Sequence, residues 1–263
     1  MGWYPRNPDE IRRFLAGFPA GTDKAAIAPH AGWFYSGKIA ARAVSSLNRN
    51  VDTLIVIGGH LPAGYPPLFA MEDAVSTPLG AMPIHTGLRA ALYKTLGGEE
   101  DRFRDNTVEV LLPMARFFFP QASLLWLRLP AALSSFDAGK AIAAAAADLS
   151  QTVAVLASTD LTHYGPNYDF TPKGIGPDAL RWVREVNDRR FIDAVESGDP
   201  AAVLERAEGD SSSCSAGAVL GAMGFASAAG YGPAHLLEYG TSADAGEGED
   251  IPDSFVGYAA MVF

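Results

Sequence analysis

Residues 52–60 read DTLIVIGGH, and this stretch decides the fold. Leu54, Ile55, Val56 and Ile57 follow one another without a polar break. A strand with one wet face would alternate, so this one must be covered on both faces. The same texture recurs in KAAIAP (24–29), ASLLWLRL (122–129), TVAVLAS (152–158) and the terminal run 255–263. Between these runs lie segments with helical periodicity: 8–18, 37–47, 86–97, 107–119, 134–150, 178–194, 198–207 and 215–229. Apolar strands alternating with helices predict an α/β fold, a three-layer α/β/α sandwich with a mostly parallel or mixed central sheet. The Gly/Ser patch at 208–213 and the acidic stretch TSADAGEGED (241–250) read as loops too short to separate domains, so residues 1–263 are expected to form a single domain.

The composition agrees with a buried core. The chain has 263 residues, 48% of them hydrophobic and only 19% charged, and a mean hydropathy of +0.07, which excludes an intrinsically disordered chain. Twenty basic against thirty acidic residues leave a net charge of −10. Such a surface repels phosphate backbones and anionic lipid, and no Lys/Arg run offers a local exception, so neither nucleic acid nor membrane is an expected partner. The single cysteine, Cys214, cannot form an internal disulfide. The N-terminal residues lack the basic-then-apolar pattern of a signal peptide, and no apolar run reaches the roughly 20 residues of a membrane span. The expected location is the cytoplasm.

In open α/β sheets functional groups gather beyond the carboxyl ends of the strands. His30 follows the first apolar run, His60 the second, and Thr159-Asp160-Leu161-Thr162-His163 the run at 152–158. Any one such histidine is commonly a hydrogen-bonded loop residue. Three at one topological level point further, because imidazole is both a ligand for borderline metals and the physiological acid–base group. Two of them could bind a metal and leave the third for proton transfer. Asp160 shares a turn with His163, where it could fix the imidazole's tautomer or simply cap the next segment. Cys214 lies in SSSCSAGA ahead of a small-residue helix, a place that favours a thiolate, although a free cysteine is also often just a small buried hydrophobe. By spacing alone, Glu109 belongs on a helix face turned to solvent.

Seven pieces together resemble the Memo family, also called protein B of the AmmeMemoRadiSam system, itself similar to class III extradiol ring-cleaving dioxygenases. They are GWYP (2–5), IAPHAGWFYSG (27–37), STP (76–78), DNTVEVLLP (105–113), STDLTHYGPNY (158–168), CSAGA (214–218) and VGYAA (256–260). The resemblance implies an α/β/α fold with a metal pocket at the strand ends. It implies ligands at His30, His60 and Cys214, with Fe(II) as the expected metal and copper or zinc as alternatives. Asp160 and His163 would be the catalytic pair, and Tyr35, Asn106, Glu109 and Tyr164 would line the pocket. In the dioxygenase relatives a carboxylate stands where Cys214 does, and a thiolate there makes the site softer.

This chain departs from the family pattern in three places. Gly58-Gly59-His60 is one residue tighter than the family's G-P-x-H. Asp105-Asn106-Thr107-Val108-Glu109 replaces E-H-S-x-E, so Asn106 can hydrogen-bond but cannot titrate. The opening motif is shortened to Met1-Gly2-Trp3-Tyr4-Pro5. Three functions compete. The first is a mononuclear metal redox enzyme acting on a small aromatic or other reducible molecule. The second is a protein- or peptide-binding adaptor that keeps the pocket, as the link of eukaryotic members to phosphopeptide contact implies. The third is a cysteine hydrolase with Cys214 as nucleophile, His163 as base and Asp160 as orienter.

Overall fold

The computed structural model describes residues 2–103, 105–246 and 251–263. Its strands are β1 (Ala25–Ala28), β2 (Thr53–Leu61), β3 (Leu68–Phe69), β4 (Ala74–Thr77), β5 (Gly80–Pro83), β6 (Glu99–Glu100), β7 (Ser123–Pro130), β8 (Val153–Ser158), β9 (His163–Tyr164), β10 (His235–Thr241) and β11 (Phe255–Val262). The main sheet runs β10-β11-β1-β8-β2-β7-β3-β6, with β9 paired to β11, while β4 and β5 form a small hairpin. The centre, β1-β8-β2-β7, is parallel. Antiparallel pairing of β11 to β1 and of β3 to β7 makes the sheet mixed at its flanks.

Alternate side chains of the central strands feed two cores. On β2, Ile55 and Ile57 enter one core while Leu54 and Val56 enter the other. On β8, Val155 and Ala157 join the first, and Ala154 and Leu156 the second. Continuous apolarity therefore has the meaning read from the sequence: helices cover both faces. One layer holds α1 (Pro8–Leu15), α2 (Trp33–Ser46) and, later in the chain, the helix at 112–118. The opposite layer starts with α3 (Thr86–Leu96). The chain continues with α4 (Asn106–Glu109), α5 (Leu112–Phe118), α6 (Ser134–Asp148), α7 (Pro177–Trp182), α8 (Asp188–Ser197), α9 (Pro200–Gly209) and α10 (Ala216–Ala228). Residues 216–226 of α10 are all buried, since it lies between the sheet and α6.

Three segments differ from the sequence reading. The helix expected over 107–119 is broken between α4 and α5, where Pro113 lacks the N–H a continuous helix needs. The helix expected over 178–194 is interrupted by a wider π-helical turn at Val183–Asn187. The half-polar β10 and the short strands β3 to β6 and β9 were not expected, because none carries an apolar run long enough to stand out. Of the acidic stretch 241–250, residues 247–250 lie outside the described residues, as does Met1 of the opening motif.

Candidate metal centre

Parallel pairing brings the carboxyl ends of β1, β8 and β2 to one edge, with β8 in the middle. His30 follows β1 by two residues and is 1% exposed. Its main-chain N–H donates to Asp160 Oδ1 at 2.7 Å, and Asn106 Nδ2 donates to its carbonyl at 3.2 Å. Its Nδ1 lies 2.7 Å from Ser158 Oγ, the last residue of β8. The ring is thereby oriented with Nε2 towards Cys214 Sγ, at 3.3 Å.

His60 arrives differently. It is not beyond β2 but its penultimate residue, at φ +58°, where the pairing of β2 with β7 slips between Gly58 and Leu61. This bulge turns His60 out of the strand, so the tight Gly58-Gly59-His60 spacing still delivers a side chain to the group. Glycine is required at 59, because a Cβ there would stand 2.3 Å from the Ser215 side chain. His60 Nδ1 meets Asp105 Oδ2 at 3.0 Å. The rings of His30 and His60 stand edge to face, 4.9 Å apart.

Cys214 sits two residues before α10, its N–H donating to Asp160 O at 3.2 Å while its sulfur accepts the Asp160 N–H at 3.3 Å. The donor atoms of His30, His60 and Cys214 all lie within 4.8 Å of one another. Burial would push the thiol up, but the two imidazoles hold it well below the ordinary cysteine value. Burial also opposes a charged His60, yet the hydrogen bonds with Asp105 and Cys214 lift it to about 10. Burial alone would lower His30 too, and the Asp160 and Cys214 charges outweigh it. Without an ion the three groups thus favour a thiolate beside protonated imidazoles, and a metal cation taking their place would have to displace the imidazole protons.

Asp160 and His163, expected from the sequence as a pair, have separate hydrogen-bond partners. Asp160 does not bond to His163; it serves His30 and Cys214 instead. His163 Nδ1 donates to Leu161 O at 3.1 Å, and a carbonyl can only accept, so its tautomer is set by the main chain and Nε2 has no hydrogen-bond partner among the described residues. Tyr168 packs edge-on against the His163 ring at 5.0 Å. No hydrogen bond joins Cys214 to His163 among the described residues, and the imidazoles beside the sulfur are those of His30 and His60. Tyr35 is 52% exposed on the first turn of α2. Tyr164 turns away from the group, stacks on Phe255, and accepts the Lys173 N–H while donating to Gly174 O. Glu109 is exposed, as its spacing indicates, at the rim of a cavity of about 210 Å³ that Asp105, Trp126 and Arg128 also line.

Three side chains that hold the group were not singled out in the sequence reading: Ser158, Asp105 and Arg128. Arg128 had a visible signal, a lone cation inside LLWLRL, where burial on both faces demands a buried anion. Another buried group, Asp188 at the start of α8, accepts from the Thr162 N–H, the Thr162 hydroxyl and the Tyr239 hydroxyl, and so anchors the turn that carries His163. Burial pushes its carboxyl up to about 6 against those donors. An unfolded aspartate titrates near ~3.9. Between about pH 4 and 6 the folded state therefore binds more protons than the unfolded one, and this group's contribution to stability falls as pH rises. Asp188→Asn should accordingly gain on wild type by roughly 3 kcal/mol between pH 4 and pH 7, read from urea midpoints at the two pH values. A difference that does not change with pH would remove this account.

Fold and group together define a class: a three-layer α/β/α protein whose parallel strand ends gather two histidines and a cysteine into one group. The chain belongs to the Memo-like protein family, which it matches over residues 2–262. It is 27% identical to a MEMO1 family protein of Methanopyrus kandleri, covering 99% of this chain and 95% of that one. A MEMO1 family protein of Thermococcus onnurineus is 29% identical, over 91% of this chain and 86% of that one. The crystal structure of an uncharacterized protein from Escherichia coli K12 superposes with a TM-score of 0.52 at 14% identity, covering 91% of this chain and 99% of the other, a likeness of fold. Among the described residues no helix is long and apolar enough to cross a membrane.

Proposed function

We propose that this protein holds one metal ion, Fe(II) in the first place, between His30, His60 and Cys214, and serves as a redox enzyme for a small molecule, related to the extradiol dioxygenases. The carrying observation is the convergence of the three donor atoms within 4.8 Å. Two donors about 2.0–2.3 Å from a common ion stand at most about 4.5 Å apart, so only small side-chain adjustments separate this arrangement from a coordination sphere. The donor chemistry fits as well. Two imidazoles and a thiolate suit iron, copper or zinc and disfavour magnesium or calcium. Both Nδ1 atoms are already engaged, by Ser158 and Asp105, which leaves the Nε2 atoms for the ion.

A bound ion would supply open positions for a substrate and an oxidant or reductant. The chain's own residues do the rest. Asp160 and Asn106 fix the main chain of His30 from both sides. His163, with its Nδ1 hydrogen committed to Leu161, has Nε2 available to take or release a proton.

Elemental analysis with electron paramagnetic resonance on anaerobically purified protein tests this reading. A single iron per chain is expected, lost in His30→Ala. Copper or zinc in its place would correct the metal and keep the site, whereas metal-free protein that also fails to take up added metal would end the proposal. Ser158→Ala, which frees the His30 ring, should weaken metal binding about 10-fold, measured by competition with a chromophoric chelator.

A further inference from the structure

Arg128 occupies an unusual place for a cation. It lies on β7, a strand covered on both faces, and is 3% exposed. Its guanidinium grips Asp101 with two nitrogens, Nε to Oδ2 at 2.7 Å and Nη2 to Oδ1 at 3.0 Å. The third nitrogen, Nη1, does two further things. It donates to the Gly59 carbonyl at 3.2 Å and lies 3.2 Å from Asp105 Oδ2. That same Asp105 oxygen receives the Nδ1 of His60, and the other oxygen caps α4 through the Thr107 N–H at 2.8 Å. One side chain thus holds the backbone immediately before His60 and the carboxylate that aims the His60 ring.

The arrangement answers a specific need. His60 sits in left-handed backbone, a conformation unfavourable for a residue with a Cβ. Such a conformation persists only where its surroundings over-determine it. The Gly59 carbonyl is fixed by Arg128 on one side, and the Gly59 N–H donates to Thr107 Oγ1 at 3.3 Å on the other. His30 needs no such device, because it follows regular strand and is held by Asp160 and Ser158.

We infer that Arg128 is a positioning residue for the metal ligand His60: anchored by Asp101, it locks both the Gly59 bulge and the Asp105 carboxylate that aim the His60 ring. This rests on the metal reading above. It makes Asp101, Arg128, Asp105 and His60 a single line running from the strand interior to the ion. The planar fork is essential to it, since the ammonium of a lysine cannot reproduce the paired grip on Asp101 while reaching Gly59 and Asp105.

Cobalt(II) titration of the metal-free full-length protein, followed by visible absorption, tests this. Cobalt reports thiolate ligation through its sulfur charge-transfer band and ligand number through its d–d bands. In Arg128→Met, cobalt affinity should fall about 10–100-fold, with altered d–d bands and a retained charge-transfer band, because Cys214 stays in place and His60 does not. Arg128→Lys keeps the buried charge, and so guards against a failure of Arg128→Met to fold. It should fall between wild type and Arg128→Met. In a His60→Ala background, Arg128→Lys should change cobalt affinity no further, the signature of an effect routed through His60. Wild-type affinity and spectra in both arginine variants overturn the inference while leaving the metal site standing. An equal loss with and without His60 overturns it too, by showing a general structural effect. A wild type that binds no cobalt overturns the metal reading itself.

Discussion

Cys214→Ala is expected to abolish tight metal binding while leaving the protein folded. The thiolate is the one anionic donor in the set and stands between the two imidazoles, 3.3 Å from His30 Nε2. Without it two neutral ligands remain, and the loss in affinity should exceed the roughly 100-fold upper range seen when only an outer hydrogen-bond partner is removed. Folding should survive, because Cys214 contributes little buried volume and its N–H bond to Asp160 O belongs to the main chain. Cys214→Asp makes the complementary test. A carboxylate restores an anionic but harder donor, so iron should return to the site while copper(I) should not. Metal analysis and a thermal melt of each variant decide the matter: stoichiometric metal in Cys214→Ala would show that the ion lies elsewhere.

Gly139→Leu is expected to prevent folding, and Gly139→Ala to destabilise the chain by roughly 3 kcal/mol. The reason is the closeness of α6 and α10. A Cβ at Gly139 would stand 2.0 Å from the Gly221 carbonyl oxygen and 2.6 Å from the Phe225 nitrogen, and one at Gly224 would stand 1.8 Å from the Phe136 carbonyl oxygen. These are backbone atoms, so no rotamer change relieves the clash and the helices must part. Parting them disturbs more than packing, since Cys214 is held just ahead of α10. Gly209→Ala is the control. Nothing lies within 4 Å of that position, on the last residue of α9, and the change should be neutral or stabilising by at most about 1 kcal/mol. Chemical denaturation of the three variants beside wild type reads the difference.

Much of the architecture was legible before any coordinates. Continuous apolar runs such as Leu54–Ile57 can only be strands covered on both faces, and the two cores fed by alternate residues of β2 are that statement in three dimensions. The antiparallel flank strands were not legible. β10 mixes polar and apolar residues, and its place at the sheet edge comes from pairing with β11, a contact between residues far apart in the chain. The break at Val110-Leu111 was announced by Pro113, but helical periodicity on both sides concealed it.

For the site the division is sharper. His30, His60 and Cys214 could be named because residue type and position beyond an apolar run are local properties, and the motifs resembling the Memo family tie them together. What those residues do to one another is non-local. Asp160 lies three residues from His163 in sequence, yet its carboxylate serves His30, 130 residues away, because β1 and β8 are neighbours in the sheet. Arg128 reaches Asp101 and Asp105 only because the chain between them folds back across the end of β2. The sequence by itself determined the layered α/β fold and the chemical types available at its strand ends, since burial pattern and side-chain chemistry are written residue by residue. Only the tertiary structure decided which carboxylate orients which imidazole and how a histidine in left-handed backbone reaches the thiolate. Those are distances between segments, set by strand order and by a single bulge.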